Sequence, residues 1–185
     1  TDMGALLRGL IDEQRLQWRT RGLQVQLLQK PEGRALHAEV DPALLGTAVA
    51  NLLSNAIRYS PQGGRIELRL LREGQALAIE VADQGPGVPQ AERGRIFEPF
   101  FRGQHQPAHD SDIGLPGTGI GLSIVAETVA AHGGRIAYVA HDAPPEAAGA
   151  RNPAGAPAWG AADAPAPTDA TGACFRIELP HAFVT

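Results

Sequence analysis

The sequence predicts an α+β protein, a two-layer sandwich with three main helices on one face of a mixed, mostly antiparallel sheet. Three observations predict it. Apolar residues recur at helical spacing in the stretches 3–20, 42–59 and 121–131. Apolar and polar residues alternate in roughly six short runs that read as strands. The two kinds of element follow one another as αββαββ, then an aperiodic loop, then αββ.

The chain has 185 residues, 43% of them hydrophobic and 19% charged, which fits one globular domain with its own core. Its 16 basic and 20 acidic residues give a net charge of −4 with no concentrated basic run, so a nucleic-acid partner is not expected. The single Cys174 rules out an internal disulfide and fits a reducing compartment. No apolar run approaches the ~18 residues needed to cross a bilayer, and no signal peptide is visible. The chain opens at Thr1 without an initiator methionine and is expected to be a piece of a longer protein.

Leu6, Leu7, Leu10, Ile11 and Trp18 set the period of a first helix over 3–20, ended by Gly22. Leu23, Val25 and Leu27 then alternate with glutamines, and Leu36, Ala38 and Val40 alternate after Lys30-Pro31-Glu32-Gly33, predicting a hairpin. Asp41 is placed to cap a second helix with Pro42 at its first position, and Ser60-Pro61 stops it. A second hairpin pairs 65–71 with 75–82 around Arg72-Glu73-Gly74, its apolar faces carrying Ile66, Leu68 and Leu70 on one strand and Leu77, Ile79 and Val81 on the other. A short helix over 90–97 follows, then an aperiodic loop to Pro116, so that 88–116 reads as a lid. A third main helix runs to Ala131 and stops at Gly133-Gly134; strands at 135–140 and 174–179 close the chain. Between them, 143–173 holds 13 Ala, 6 Pro and 4 Gly in 31 residues, and reads as a disordered insertion.

Three motifs carry chemistry. On the second helix Asn51, Asn55 and Arg58 share one face, while Leu45, Val49, Leu52, Leu53, Ala56 and Ile57 turn to the core. Such a face is either a solvated polar surface or an oxygen-and-guanidinium site for Mg²⁺ and phosphate. Asp83 ends an alternating strand at Asp83-Gln84-Gly85-Pro86-Gly87, which is either an Asx turn or a carboxylate that accepts a hydrogen bond from a ligand amine such as that of adenine. Gly117-Thr118-Gly119-Ile120-Gly121-Leu122 opens a helix; it is either a hinge or a row of bare N–H groups facing phosphate. It lacks the spacing and the leading strand of a dinucleotide fingerprint, and no Gly-Lys-Ser/Thr marks a P-loop. Phe97-Glu98-Pro99-Phe100-Phe101-Arg102 groups three aromatics at the root of the lid, as core, latch or docking surface.

In order and spacing, Asn-x-x-x-Asn-Ala-x-Arg-Tyr, Asp-x-Gly-x-Gly, Ile-Phe-Glu-Pro-Phe-Phe-Arg and Gly-Thr-Gly-Ile-Gly-Leu-Ser-Ile-Val resemble the N, G1, F and G2 boxes of bacterial sensor histidine kinases. The resemblance runs over 2–179 and takes in His132-Gly133-Gly134 and the closing Phe-Arg-Ile-Glu-Leu-Pro strand. It is to the catalytic and ATP-binding domain, whose Bergerat fold is shared with gyrase-type ATPases and heat-shock chaperones. It implies ATP and Mg²⁺ as cofactors. Asn55 would be the metal ligand, Asn51 would line the same site, Arg58 would reach the phosphates and Tyr59 would lie beside the nucleotide. Asp83 would read the adenine amine with Gly85 and Gly87 shaping that wall, and Val88, Ile96 and Phe97 would also bind the cofactor. Gly117, Gly119 and Gly121 would carry the lid's far hinge and phosphate-facing amides, Thr118, Ile120 and Leu122 would bind the cofactor with them, and Arg102 would be a further phosphate contact.

The implied reaction is transfer of the γ-phosphoryl group to a histidine, as part of two-component signalling. None of His37, His105, His109, His132, His141 and His181 has the His-Glu/Asp-hydrophobic-basic context of an acceptor, so the acceptor is expected upstream of Thr1, on a dimerisation domain. The implied partners are that domain and the receiver domain of a response regulator. The full-length protein is expected to be a homodimer at the inner membrane, and this cytoplasmic domain to be monomeric by itself. Alternatives are an anti-sigma-type serine kinase or ATPase of the same fold, and a nucleotide-binding docking module without catalysis.

Overall fold

The computed structural model describes residues 1–103, 119–140, 172–180 and 182–184. The chain begins with α1 (Met3–Glu13) and α2 (Arg15–Thr20), then β1 (Gln24–Lys30), β2 (Leu36–Ala38) and α3 (Pro42–Tyr59). Next come β3 (Arg65–Glu73), β4 (Ala76–Ala82), α4 (Gly121–Ala131), β5 (Arg135–Ala140), β6 (Ala173–Leu179) and β7 (Ala182–Val184). Five strands form one sheet in the order β1-β3-β4-β6-β5, and β2 pairs with β7 in a second, two-stranded sheet. Within the large sheet β1 and β3 are parallel and every other pairing is antiparallel. This is the mixed α+β architecture expected.

Local chemistry sets α3. Asp41 Oδ1 accepts from the Ala43 and Leu44 amides at 2.8 and 3.1 Å, and Pro42 occupies the first turn, where its missing N–H costs nothing. Leu45, Val49, Leu52, Leu53, Ala56 and Ile57 are all buried, against Ile66, Leu68 and Leu70 of β3 and Leu77, Ile79 and Val81 of β4. α4 lies beside α3, and His132 ties the end of one to the start of the other. Its Nδ1–H donates to Thr128 O at 2.7 Å, while Nε2 accepts from the Asp41 amide at 3.0 Å.

The other face of the sheet carries ions instead of helices. Gln26 donates to Glu67, and Arg69 bridges Glu67 and Glu80. Arg176 bridges Glu80, Glu73 and Glu178, and Glu178 reaches Arg135. The chain of contacts crosses all five strands from β1 to β5.

Four sequence expectations are corrected. The first helix is broken at Gln14 into α1 and α2, so the described residues hold four helices. The first hairpin does not form: β1 pairs in parallel with β3 over seven positions, Gln24↔Arg65 to Lys30↔Leu71, and β2 pairs with β7, a strand the sequence reading lacked. Alternation tells which face of a strand is apolar and says nothing of its neighbour. The long apolar face of β3 outcompetes three-residue β2, and α3 supplies the crossover that a parallel pair requires. Residues 90–97 form successive turns, not a helix, with Glu92 N, Arg95 N and Glu98 N bonding to Pro89 O, Glu92 O and Arg95 O. Finally, β6 begins at Ala173, so the last residue of the stretch read as an insertion is buried sheet. Residues 104–118 and 141–171 lie outside the described residues, and with them 104–116 of the stretch read as a lid and 143–171 of the stretch read as an insertion.

Candidate nucleotide site

One cavity of about 270 Å³ opens where α3, the 83–89 turn, the lid root and the start of α4 meet. Asn51, Asn55, Arg58 and Tyr59 line it from α3. The expected face of that helix therefore points inward to a cleft and is not a solvated surface. Asp83, Gly87, Val88 and Ile96 form a second wall, and Arg102, Gly119, Gly121 and Leu122 a third. Three expected residues do not line the cavity. Gly85 sits behind Asp83, Phe97 packs edge-on to Phe175 at 6.4 Å, and Ile120 caps α4, its carbonyl accepting from Ser123 Oγ and the Ile124 amide. Gly117 and Thr118 lie outside the described residues.

Asp83 is held by the backbone. Its Oδ1 accepts from the Gly85 amide at 2.7 Å and the Ala173 amide at 3.2 Å, and its own N–H donates to Ala173 O at 2.8 Å. Oδ2 has no hydrogen bond among the described residues. The side chain is buried, and burial pushes its carboxyl up to about 6 even though the two amides pull the other way. Gly85 permits this geometry, since a Cβ there would stand 2.8 Å from Tyr59 O and 2.9 Å from Asp83 Oδ1. The turn thus packs directly on the end of α3.

The described residues on either side of 104–118 touch. Phe100 N donates to Gly119 O at 2.9 Å, and a Cβ on Gly119 would lie 2.8 Å from Phe101 O. Gly119 also has φ +72, so two requirements select glycine there. Phe101 lines the cavity beneath the Arg95 guanidinium, 4.8 Å from its ring, whereas Phe100 is 73% exposed with φ 63. The aromatic group is therefore divided among core, cavity wall and surface.

A model of the family described as histidine kinase-, DNA gyrase B-, and HSP90-like ATPase matches residues 40–182, a span containing every element of this cavity. The chain belongs to that ATPase family. Among curated sequences, this family member is similar to the signal transduction histidine-protein kinase/phosphatase MprB of Mycobacterium sp. (strain KMS), 45% identical over 97 residues. That alignment covers 52% of this chain and 18% of MprB, so the chain spans less than a fifth of that relative's length. Among solved structures, a mycobacterial sensor histidine kinase MprB matches with a TM-score of 0.68 and 29% identity over 95% of both chains. The catalytic domain of histidine kinase ThkA matches in fold, with a TM-score of 0.70 and 21% identity over 97% of this chain and 95% of that one. ThkA has also been solved in complex with the response regulator protein TrrA. This ATPase-family domain is thus of the sensor-histidine-kinase type.

Sequence reasoning missed Pro89, Glu92, Gly103, Ala173 and Phe175 as cavity residues and placed Phe101 only at the lid root. Ala173 and Phe175 come from a strand some ninety positions beyond Asp83 and carry no motif. Glu92 is, with Asp83, one of two carboxylates lining the cavity among the described residues. Its Oε2 occupies the space a Cβ on Gly103 would need.

The residues present fit Mg²⁺ delivered with a nucleotide. Asn51 and Asn55 offer amide oxygens, which suit a hard cation that keeps waters and phosphate oxygens in its shell. No group of three His, Cys, Asp or Glu side chains among the described residues would hold a metal unaided.

Proposed function

We propose that this domain binds Mg-ATP and donates the γ-phosphoryl group to a histidine on an upstream dimerisation domain of a two-component sensor kinase. The observation that carries this is the convergence of the α3 face, Asp83 and the first residues of α4 on one cavity, with an amide at Asn51. Asp83 accepts the adenine amine on Oδ2 while the backbone amides hold Oδ1. Arg58, Arg102 and the amides at Gly119 and Gly121 take the phosphates at the α4 N-terminus, where the helix dipole favours negative charge. Asn55 holds the metal through its side-chain oxygen, and Asn51 lines the same site. The ion supplies neutralisation of charge on the transferring phosphate. Asn51 is a poor general base, so the α3 face suits presenting ATP to another nucleophile rather than activating water.

The full protein is a homodimeric inner-membrane sensor in this reading, with the present domain monomeric and cytoplasmic. No helix among the described residues is long and apolar enough to cross a membrane, and membrane spans would lie elsewhere. The ThkA–TrrA complex supports a response-regulator receiver domain as the second partner.

Glu92 supports a second reading, a stand-alone ATPase, because a cavity carboxylate can orient water. One experiment separates the two. Incubated with labelled ATP and Mg²⁺, the 185-residue chain is expected neither to label itself on histidine nor to turn ATP over beyond a trickle. Adding the upstream helical domain is expected to restore acid-labile label by placing an imidazole in line with the γ-phosphate. Fast hydrolysis abolished in Glu92→Gln establishes the ATPase instead, and histidine label on the isolated chain overturns the upstream acceptor.

A further inference from the structure

The nucleotide-facing stretch of α3, from Asn51 to Tyr59, is gripped from behind at both ends by the caps of one short helix. α2 has six residues, with Gln14 as its N-cap and Arg21 as its C-cap. Gln14 Nε2 donates to Ala50 O at 3.1 Å, next to Asn51. Arg21 Nη1 donates to Ile57 O and, at 2.9 Å, to Arg58 O, while Nη2 donates to Ser60 O at 2.7 Å. We propose that α2 is a brace for the nucleotide site and that Arg21 is a positioning residue for Arg58 and Tyr59. This rests on the proposed nucleotide function and adds what holds Arg58, the proposed phosphate contact, and its neighbour Tyr59 in place.

The end of α3 needs such a partner. The last carbonyls of a helix have no intrahelical donors and are commonly met by backbone N–H groups of the following residues. Here Ser60 is extended, at φ −64 and ψ 142, and residue 61 is proline, which has no N–H. Ser60 N and Oγ both turn back to Ala56 O, at 3.0 and 2.7 Å. Tyr59 O faces Gly85. The carbonyls of Ile57, Arg58 and Ser60 are left to a side chain, and one planar guanidinium spans them with its fixed fork of donors. Its charge also suits a helix C-terminus.

The brace is itself anchored. Trp18 Nε1 donates to Ile11 O at 3.1 Å, Leu23 N donates to Trp18 O at 2.9 Å, and Gly63 N donates to Arg21 O at 3.1 Å. Displacing α2 would therefore act first on Arg58 and Tyr59, while the Asp83 side chain keeps its own bonds to the Gly85 and Ala173 amides.

The test titrates the 185-residue chain with ATP and with adenosine, following amide chemical shifts, in the parent, Arg21→Ala and Arg21→Lys. Arg21→Ala is expected to weaken ATP about tenfold and adenosine less than about twofold, and Arg21→Lys, with no fork, to fall between. If Arg21→Ala fails to fold, the same split is read on Arg21→Lys. Equal weakening of both ligands would reduce Arg21 to a general stabiliser, and unchanged ATP affinity would remove it altogether; either outcome overturns the brace. A parent chain that bound no ATP would overturn the proposed function itself, and the brace with it.

Discussion

At Asp83, folding makes a carboxylate hard to ionise, because burial outweighs its two amide bonds. Its folded value of about 6 lies above the ordinary 3.8, so the folded chain holds the proton more tightly than the unfolded one. The contribution of Asp83 to stability is fully present below the ordinary value and is lost as pH rises through about 6, a cost of about 3 kcal/mol at neutral pH. Asp83→Asn should therefore raise the melting temperature of the free chain at neutral pH, with the difference vanishing in acid below the ordinary value. The same variant should bind ATP about 5- to 150-fold more weakly, because Oδ1 keeps its amides and the new NH₂ meets the adenine amine donor to donor. Parent affinity should fall as pH drops through about 6 by more than that of Asp83→Asn. Calorimetric titration across pH checks both statements, and unchanged affinity in Asp83→Asn would defeat the adenine assignment. With Asn55 as the proposed metal ligand, Asn55→Ala should slow transfer to a supplied acceptor domain by about a hundredfold while weakening ATP far less, since the ion it would hold neutralises the transferring phosphate. Transfer at the parent rate would remove Asn55 as metal ligand.

At the scale of elements, the open sheet face rests on its ion ladder. Glu80 is buried and takes one bond from each of Arg69 and Arg176, whose side chains are 17% exposed. Glu80→Ala leaves both guanidiniums with other carboxylates but short of one acceptor each, and should cost about 2 kcal/mol. Arg135 stands at the edge with its side chain 78% exposed, and exposed ion pairs contribute little. Arg135→Ala should leave the melting temperature unchanged. Thermal unfolding of the two variants side by side decides the matter; equal losses would mean the ladder works by surface charge alone.

For the whole molecule, the topology leads to the expectation that the Ala/Pro-rich stretch 143–171 is dispensable. β5 and β6 are antiparallel neighbours, and Ala140 is directly opposite Ala173. The ends to be joined are already adjacent, and closure entropy changes slowly with loop length. Replacing 143–171 by a few glycines and serines should leave melting temperature and ATP affinity nearly unchanged. Carrying the deletion through Gly172 and Ala173 should damage both, because Ala173 holds Asp83 through two hydrogen bonds. Matched melting and binding curves on the two deletions test this, and a large loss in the shorter one would give the insertion a structural role.

The sequence by itself determined the α+β class, the core faces of α3, β3 and β4, and the Asp41 cap. It also singled out the residues of α3, the Asp83 turn and the start of α4 that the structure gathers at one cavity. These are local properties: periodicity, capping and glycine spacing are set within a few residues and survive in one dimension. Tertiary structure alone decided that β1 joins β3 in parallel, that β2 joins β7, and that α1 breaks at Gln14. It alone brought Ala173 and Phe175 to the cavity and Arg21 to the carbonyls of α3. Each of these is a choice among distant partners of equal local merit, settled by which arrangement buries the apolar faces and satisfies every backbone group at once.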